Sequence, residues 1–217
     1  MIADDQIAAY NPSFLSAATV DDKVYAAPLY LDGTHLFYRT DLLEKYGLEV
    51  PKTWEDVIMA SKTVMEGENN PQLYGFVSMW AKIEGLFMNW LSFTGGNGAS
   101  FFDADGNVAV NSPEAIAATQ TMVDILYKHK IAPDSILTMR PNDARTLFQQ
   151  GRSVFLMVQD FVHAPLSAAD SPVAGKFDFT RNPYFAGNKD AHSTALGGWL
   201  LAVNANSENK EAAAKLV

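Results

Sequence analysis

The 217-residue sequence contains no cysteine. That removes disulfides, thiolate metal sites and thiol nucleophiles in one step. It also lacks a basic run: 16 Lys plus Arg stand against 25 Asp plus Glu, a formal net charge of −9. Affinity for a phosphate backbone rests on clustered Lys and Arg, so nucleic acid is not an expected partner. Long apolar runs are missing too. The longest apolar stretch, Ile83 to Phe93, is interrupted by Glu84 and Asn89 and falls short of the roughly 20 residues a spanning helix needs. The start, Met1-Ile-Ala-Asp-Asp-Gln6, has neither the basic nor the apolar region of a secretory signal. No internal repeat or low-complexity tract is visible.

What is present suits a folded α/β protein. At 48% hydrophobic the chain can bury one large core or two small ones. Helix starts are marked by their caps. Thr40 or Asp41 opens a short helix that Gly47 ends; Thr53, with Asp56 three residues on, forms a short-acid capping box; Ser112-Pro113-Glu114 sets a cap, a first-turn proline and a first-turn acid; Asn142 begins a helix that Gly151 closes. Strands are expected at Lys23–Ala27, His35–Arg39, Tyr74–Met79, Val154–Val158, Phe177–Thr180 and Leu200–Asn204, with a small hairpin around Asp103–Asn107. The unbroken apolar run Val154–Val158 predicts a strand covered on both faces. Alternation of strands with helices predicts an α/β fold with helices on both sides of a sheet. The two ends read as internal to a longer chain: Ser207 begins a capped helix that stops as its apolar face appears at Leu216 and Val217, and Tyr10-Asn11-Pro12 reads as a mid-protein loop.

Tests for catalytic and metal chemistry return little. His35, His129, His163 and His192 show no i,i+4 pairing, so no zinc site is expected. Asp103-x-Asp105-x-Asn107 with Glu114 outlines a calcium loop, but Val108 occupies the position that needs glycine; a solvent-facing turn is the plainer reading. There is no Gly-x-Ser-x-Gly elbow, and Gly95-Gly-Asn-Gly98 follows a helix rather than joining a strand to one. Cofactors are therefore not expected.

The informative pattern is aromatics beside glycine and polar groups at strand ends. Tyr30 and Asp32 lie in an expected crossover; Trp80, Glu84 and Gly85 follow the strand at Tyr74; Gln159, Asp160 and Phe161 follow the strand ending at Val158; Trp199 follows Gly197 and Gly198. Ligands of open α/β sheets bind beyond the carboxyl ends of strands. Aromatic faces stack on the CH faces of sugar rings, acids and amides hold hydroxyls, and glycine permits close approach. Each residue also has a plainer reading. A tryptophan near a strand is often core, as assigned to Trp54 and Trp90, and Asp32 and Glu84 could be caps or solvated acids.

Several ordered segments resemble the extracellular solute-binding proteins of the sugar class, relatives of maltose- and trehalose-binding proteins. They are Lys23 to Asp32, Phe37 to Leu43, Pro51 to Asp56, Glu84-Gly85-Leu86, Asn111 to Ala115, Phe148 to Arg152, Ser171 to Lys176 and Leu196-Gly197-Gly198-Trp199. The resemblance implies a type II periplasmic-binding-protein fold, with two hinged lobes closing on a ligand. Residues 1–31 and 183–217 would be parts of an incomplete N-terminal lobe and residues 32–182 the C-terminal lobe. It implies a non-enzymatic, monomeric carrier that delivers a neutral sugar, a disaccharide or short oligosaccharide, to the permease of an ABC importer. Its location would be periplasmic or extracellular, with a lipid anchor compatible. Where the family often has Asn-Gly-x-Trp, this chain has Gln159-Asp160-Phe161 after Val158, so Phe161 would replace a stacking tryptophan. Two alternatives remain open at this point. One is a carbohydrate-active hydrolase, which needs two facing carboxylates; the other is the same fold binding a polyamine or other solute.

Overall fold

The computed structural model describes residues 10–189 and 191–216. The expected features at Met1–Gln6 and at Val217 lie outside the described residues. By contact density the chain divides into two units: Gly33–Ala195 forms one, and residues up to Asp32 together with those from Leu196 form the other.

The larger unit is built on a mixed sheet. Its strands are β3 (Ala27–Arg39, which enters from the smaller unit), β4 (Tyr74–Ser78), β5 (Ser153–Gln159) and β6 (Phe177–Thr180), in the order β4-β5-β3-β6. β4 and β5 are parallel, while β5–β3 and β3–β6 are antiparallel. The period of two sorts side chains between two cores. Leu36, Tyr38, Phe76, Phe155 and Met157 face one, with Trp54 and Val57 of α3 (Trp54–Glu68) and Ile125 of α5 (Pro113–Tyr127). Phe37, Val77, Leu156 and Val158 face the other, with Phe148 of α6 (Pro141–Gln149) and Leu166 of α7 (His163–Leu166). Helices therefore cover both sheet faces, as the strand–helix alternation predicts. Trp54 anchors the first core, stacked on Phe93 at 3.7 Å between ring centroids.

The caps behave as their spacing demands. Thr53 Oγ1 accepts from the Asp56 N–H, and the Asp56 carboxylate accepts from the Thr53 N–H at 2.9 Å. Ser112 Oγ accepts from Ala115 N–H ahead of Pro113. The short helix α2 (Thr40–Lys45) leads to Gly47, at φ +61°, a conformation that glycine adopts without a Cβ penalty. α4 (Glu84–Gly96) runs into the glycine cluster, as expected.

Three expectations need correction. The strand expected at Lys23–Ala27 and the crossover expected at Tyr30–Asp32 do not form as separate pieces. Lys23–Val24 (β2) pairs only with Thr19–Val20 (β1), and β3 then runs unbroken from Ala27 through Tyr30 and Asp32 to Arg39. Pro28 is tolerated because it sits at the start of the strand, where a missing N–H costs least. The hairpin near Asp103 contracts to one bridge, Phe102 with Val108. The strand expected at Leu200–Asn204 lies earlier, as β7 (Leu196–Leu201), and pairs with β3. β7 belongs to the smaller unit, which also holds α1 (Pro12–Ala17), β1, β2 and α8 (Lys210–Leu216).

Residues 182–195 are bonded into the larger unit. Trp54 N–H donates to the Tyr184 carbonyl, Tyr184 N–H to the Lys52 carbonyl and Phe185 N–H to the Gly96 carbonyl, at 3.0–3.1 Å. Asn188 Nδ2 reaches Asn97. No spacing rule connects these partners, and Asn188 and Asn97 lie 91 residues apart.

Candidate functional site

Because β4 and β5 are parallel, their carboxyl ends share one edge of the sheet; because β3 runs against β5, Thr34 pairs with Gln159 at that same edge. This edge gathers the loop Trp80–Ile83, the first turn of α4 at Glu84, and Gln159-Asp160-Phe161, where a short 3-10 turn (Asp160–Val162) begins. Glu84 and Asp160 are exposed, and Phe161 is 46% exposed. The Gln159 side chain is held with Nε2 3.4 Å from Met88 Sδ, while its Oε1 is buried without a hydrogen-bond partner among the described residues. An amide in that state has an acceptor to offer to a hydroxyl donor.

The edge is rigid for a reason that lies beneath it. Ser78 Oγ lies 2.7 Å from Asn89 Oδ1 and 2.5 Å from the Met157 carbonyl oxygen, and Asn89 Nδ2 donates to the Gly85 carbonyl at 3.0 Å. These buried bonds tie α4 to β4 and β5, and so set where Glu84 stands. Gly85 serves packing: a Cβ there would lie 2.9 Å from Met79 Sδ.

Trp80 departs from the sequence reading. It is only 4% exposed and packs against Phe76 and Phe93, so its ring faces are spent on the core. Trp90, read as core, is half-buried; its Nε1 donates to Thr119 Oγ1 at 2.8 Å. With Trp80, Ile83, Phe87 and Tyr127 it lines an apolar groove of about 710 Å³ between α4 and α5.

In the smaller unit the aromatics are open. Trp199 is 63% and Tyr30 47% exposed. Gly198 explains why β7 can lie where it does: a Cβ there would sit 2.4 Å from the Tyr30 carbonyl oxygen and 2.4 Å from the Phe14 ring. Gly198, the residue before Trp199, is thus needed by backbone approach, with Gly197 half-buried beside it. Asp32 is half-buried at the end of this unit.

Charges elsewhere are committed to local structure. Burial raises the Asp41 carboxyl, but the hydrogen bonds and charge of Arg39, at 2.6–2.7 Å, outweigh it and hold the pKa below the ordinary value. Asp103 accepts from Asn107 and Asp105 N–H groups, which lower its pKa and occupy the oxygens a calcium ion would need. Among the described residues no group of three or more acids or histidines is placed to hold a metal, and no helix is long and apolar enough to cross a membrane.

Comparison with known proteins decides the family. The sequence model for bacterial extracellular solute-binding proteins matches residues 1–217. The chain belongs to this family. The solute-binding protein is 36% identical over 218 residues to a probable ABC transporter-binding protein of Deinococcus radiodurans, covering 98% of this chain and 50% of that one. Maltose-bound MalE3 of T. maritima superposes with a TM-score of 0.92 at 35% identity, over 98% of this chain and 54% of that one. A Thermotoga lettingae ABC transporter solute-binding protein bound with α-D-tagatose follows with a TM-score of 0.84 at 28% identity, over 96% and 53%. The fold is the α/β fold of type II periplasmic binding proteins. The chain spans about half the length of the relatives it matches. The family is one of solute-binding proteins that act outside the cytoplasm, in the periplasm or extracellular space.

Proposed function

We propose that this solute-binding protein binds a neutral sugar, a disaccharide or short oligosaccharide, and delivers it to the membrane permease of an ABC importer. It does so as a monomer without catalysis, and a lipid anchor would keep it at the membrane. The observation that carries the reading is Trp199. An aromatic side chain of this size left 63% open beside a glycine-only backbone is a stacking surface ready for the CH face of a pyranose. Tyr30, Asp32, Gly197 and Gly198 accompany it. From the larger unit, Glu84, Gln159 and Asp160 would supply acceptors and donors for hydroxyls, with Gly85 packed behind Glu84, and Phe161 a second aromatic surface. Trp80 supports them from beneath. Residues 1–31 and 183–217 on one side and 32–182 on the other would be the lobes of the carrier. The likeness to sugar-bound relatives above 25% identity supports the choice of ligand class.

Calorimetric titration of the full-length protein with maltose, trehalose and spermidine tests the proposal. Heat with a disaccharide and none with spermidine is expected. Tight spermidine binding alone would replace the sugar with a cation, and sugar consumed over hours would replace the carrier with a hydrolase. Trp199→Ala is expected to weaken sugar binding by about 1–2 kcal/mol, the scale of a lost aromatic contact.

A further inference from the structure

The chain passes between the two units twice, at Asp32/Gly33 on β3 and at Ala195/Leu196 where β7 begins. Compact units of one chain move relative to each other unless a large apolar interface locks them, and a few residues at the crossings absorb the motion. What each crossing is tied to decides which residues those are.

Just inside the larger unit both crossings are tied to one cluster of side chains. Thr194 Oγ1 donates to the Thr34 carbonyl at 2.7 Å, and Ser92 Oγ donates to the Met88 carbonyl at 3.0 Å. With those two protons spent, the Thr34 hydroxyl donates to Ser92 or Thr194, each 3.0 Å away, and accepts from Asn182 Nδ2 at 2.8 Å. Ser92 Oγ accepts in turn from the Ala195 N–H at 3.0 Å. Asn182 Nδ2 also faces the Ser193 carbonyl at 3.2 Å. Thr34 and Ala195, one on each crossing, thus reach the same hydroxyl of α4, which lies 58 and 103 residues from them in sequence.

The cluster is stiff. Thr34, Ser92 and Asn182 are buried, where hydrogen bonds strengthen, while Thr194 closes the cluster from the exposed side. The β3–β5 ladder starts at Thr34 as well, opposite Gln159. Beyond the cluster the backbone has more freedom. Gly33 precedes Thr34 on one crossing, and Gly197 follows Ala195 by two residues on the other. Glycine has the widest choice of φ and ψ.

We propose that the Thr34–Ser92–Asn182–Thr194 cluster is the fixed end of a hinge: it holds both crossings on α4 and confines bending between the units to the residues beyond it, around Gly33 and Gly197. The four are positioning residues, and none of them belongs to the sugar site. The consequence for affinity rests on the sugar reading. A released crossing adds arrangements that binding has to remove, so sugar binds more weakly although no contact to it is touched.

The test is single-molecule FRET on the full-length protein, with dyes at Lys128→Cys in the larger unit and Lys210→Cys in the smaller, beside calorimetric titration with maltose. Thr34→Val removes the hydroxyl and keeps the shape; Thr34→Ser keeps the hydroxyl. Without ligand, Thr34→Val should broaden the transfer-efficiency distribution, and it should weaken maltose about threefold or more. Thr34→Ser should do neither. Ser92→Ala, which strips the Ala195 N–H of its acceptor, should broaden the distribution too, and it decides the matter should Thr34→Val not fold. An unchanged width in these variants, even with a lowered melting temperature, makes the cluster a packing feature and overturns the hinge. Equal broadening in Thr34→Ser overturns it as well, because the hydroxyl is then not the cause. Broadening with maltose affinity unchanged keeps the hinge and removes its effect on binding. A parent protein that binds no maltose counts against the sugar reading, and the ligand-free widths still decide the hinge.

Discussion

β5 and β7 are two apolar strands of similar length with opposite fates. In β5, Ser153 through Val158 are all buried; in β7, Leu196–Leu201, none is. β5 has a strand on each side and a helical layer over each face, so every side chain has partners. β7 pairs with β3 in the smaller unit of a chain that spans about half the length of its relatives, and Leu196 and Trp199 are open there. Apolar character in a strand thus states what a residue can do, and the neighbours decide whether it becomes core or contact surface. Two tryptophans make the same contrast: Trp54 is sealed against Phe93 and Phe76, and Trp199 is open.

The contrast can be broken at its buried end with the largest effect. Trp54→Ala should cost about 3–5 kcal/mol in denaturant unfolding, since the fully buried ring leaves a cavity that the stacked Phe93 cannot fill. A loss under 1 kcal/mol would show that this core tolerates collapse. Ser78→Ala should cost about 1–3 kcal/mol, because Asn89 Oδ1 stays buried with its donor removed. The same variant should also weaken sugar binding, through the displaced start of α4. At the open end, Trp199→Ala should change unfolding free energy by no more than about 0.5 kcal/mol while weakening sugar. A large stability loss would make Trp199 a structural residue after all. The smallest effect concerns pH. The Asp41 carboxyl is held low in the fold, so its stabilisation is present above the carboxyl's unfolded-state pKa and is lost as pH falls through its lower folded value. Asp41→Asn should flatten the acid limb of the stability–pH curve, read by urea melts across that range.

Short-range features were legible before the fold was known. The Thr53–Asp56 box and the Ser112 cap involve partners three residues apart, so spacing alone reveals them. Val154–Val158 announced a doubly covered strand by having no polar position. Of the residues expected at the site, Glu84, Asp160 and Phe161 are exposed at a helix start or just past a strand end, and Trp199 is exposed within β7. Trp80 is buried instead, and that was not legible, since its burial depends on Phe76 and Phe93 meeting it from two other elements.

By itself, then, the sequence determined the α/β element types, their caps and the two-faced core, because periodicity and local hydrogen bonding act over a few residues. Tertiary structure alone decided that residues 182–195 bond into the larger unit, that β3 runs through Tyr30 and Asp32 unbroken, and that the side-chain acceptors of Gln159 and Asn182 meet no donor among the described residues. Each of these turns on partners far apart in the chain, such as Thr34 and Asn182, 148 residues apart, whose meeting is a property of the packed layers.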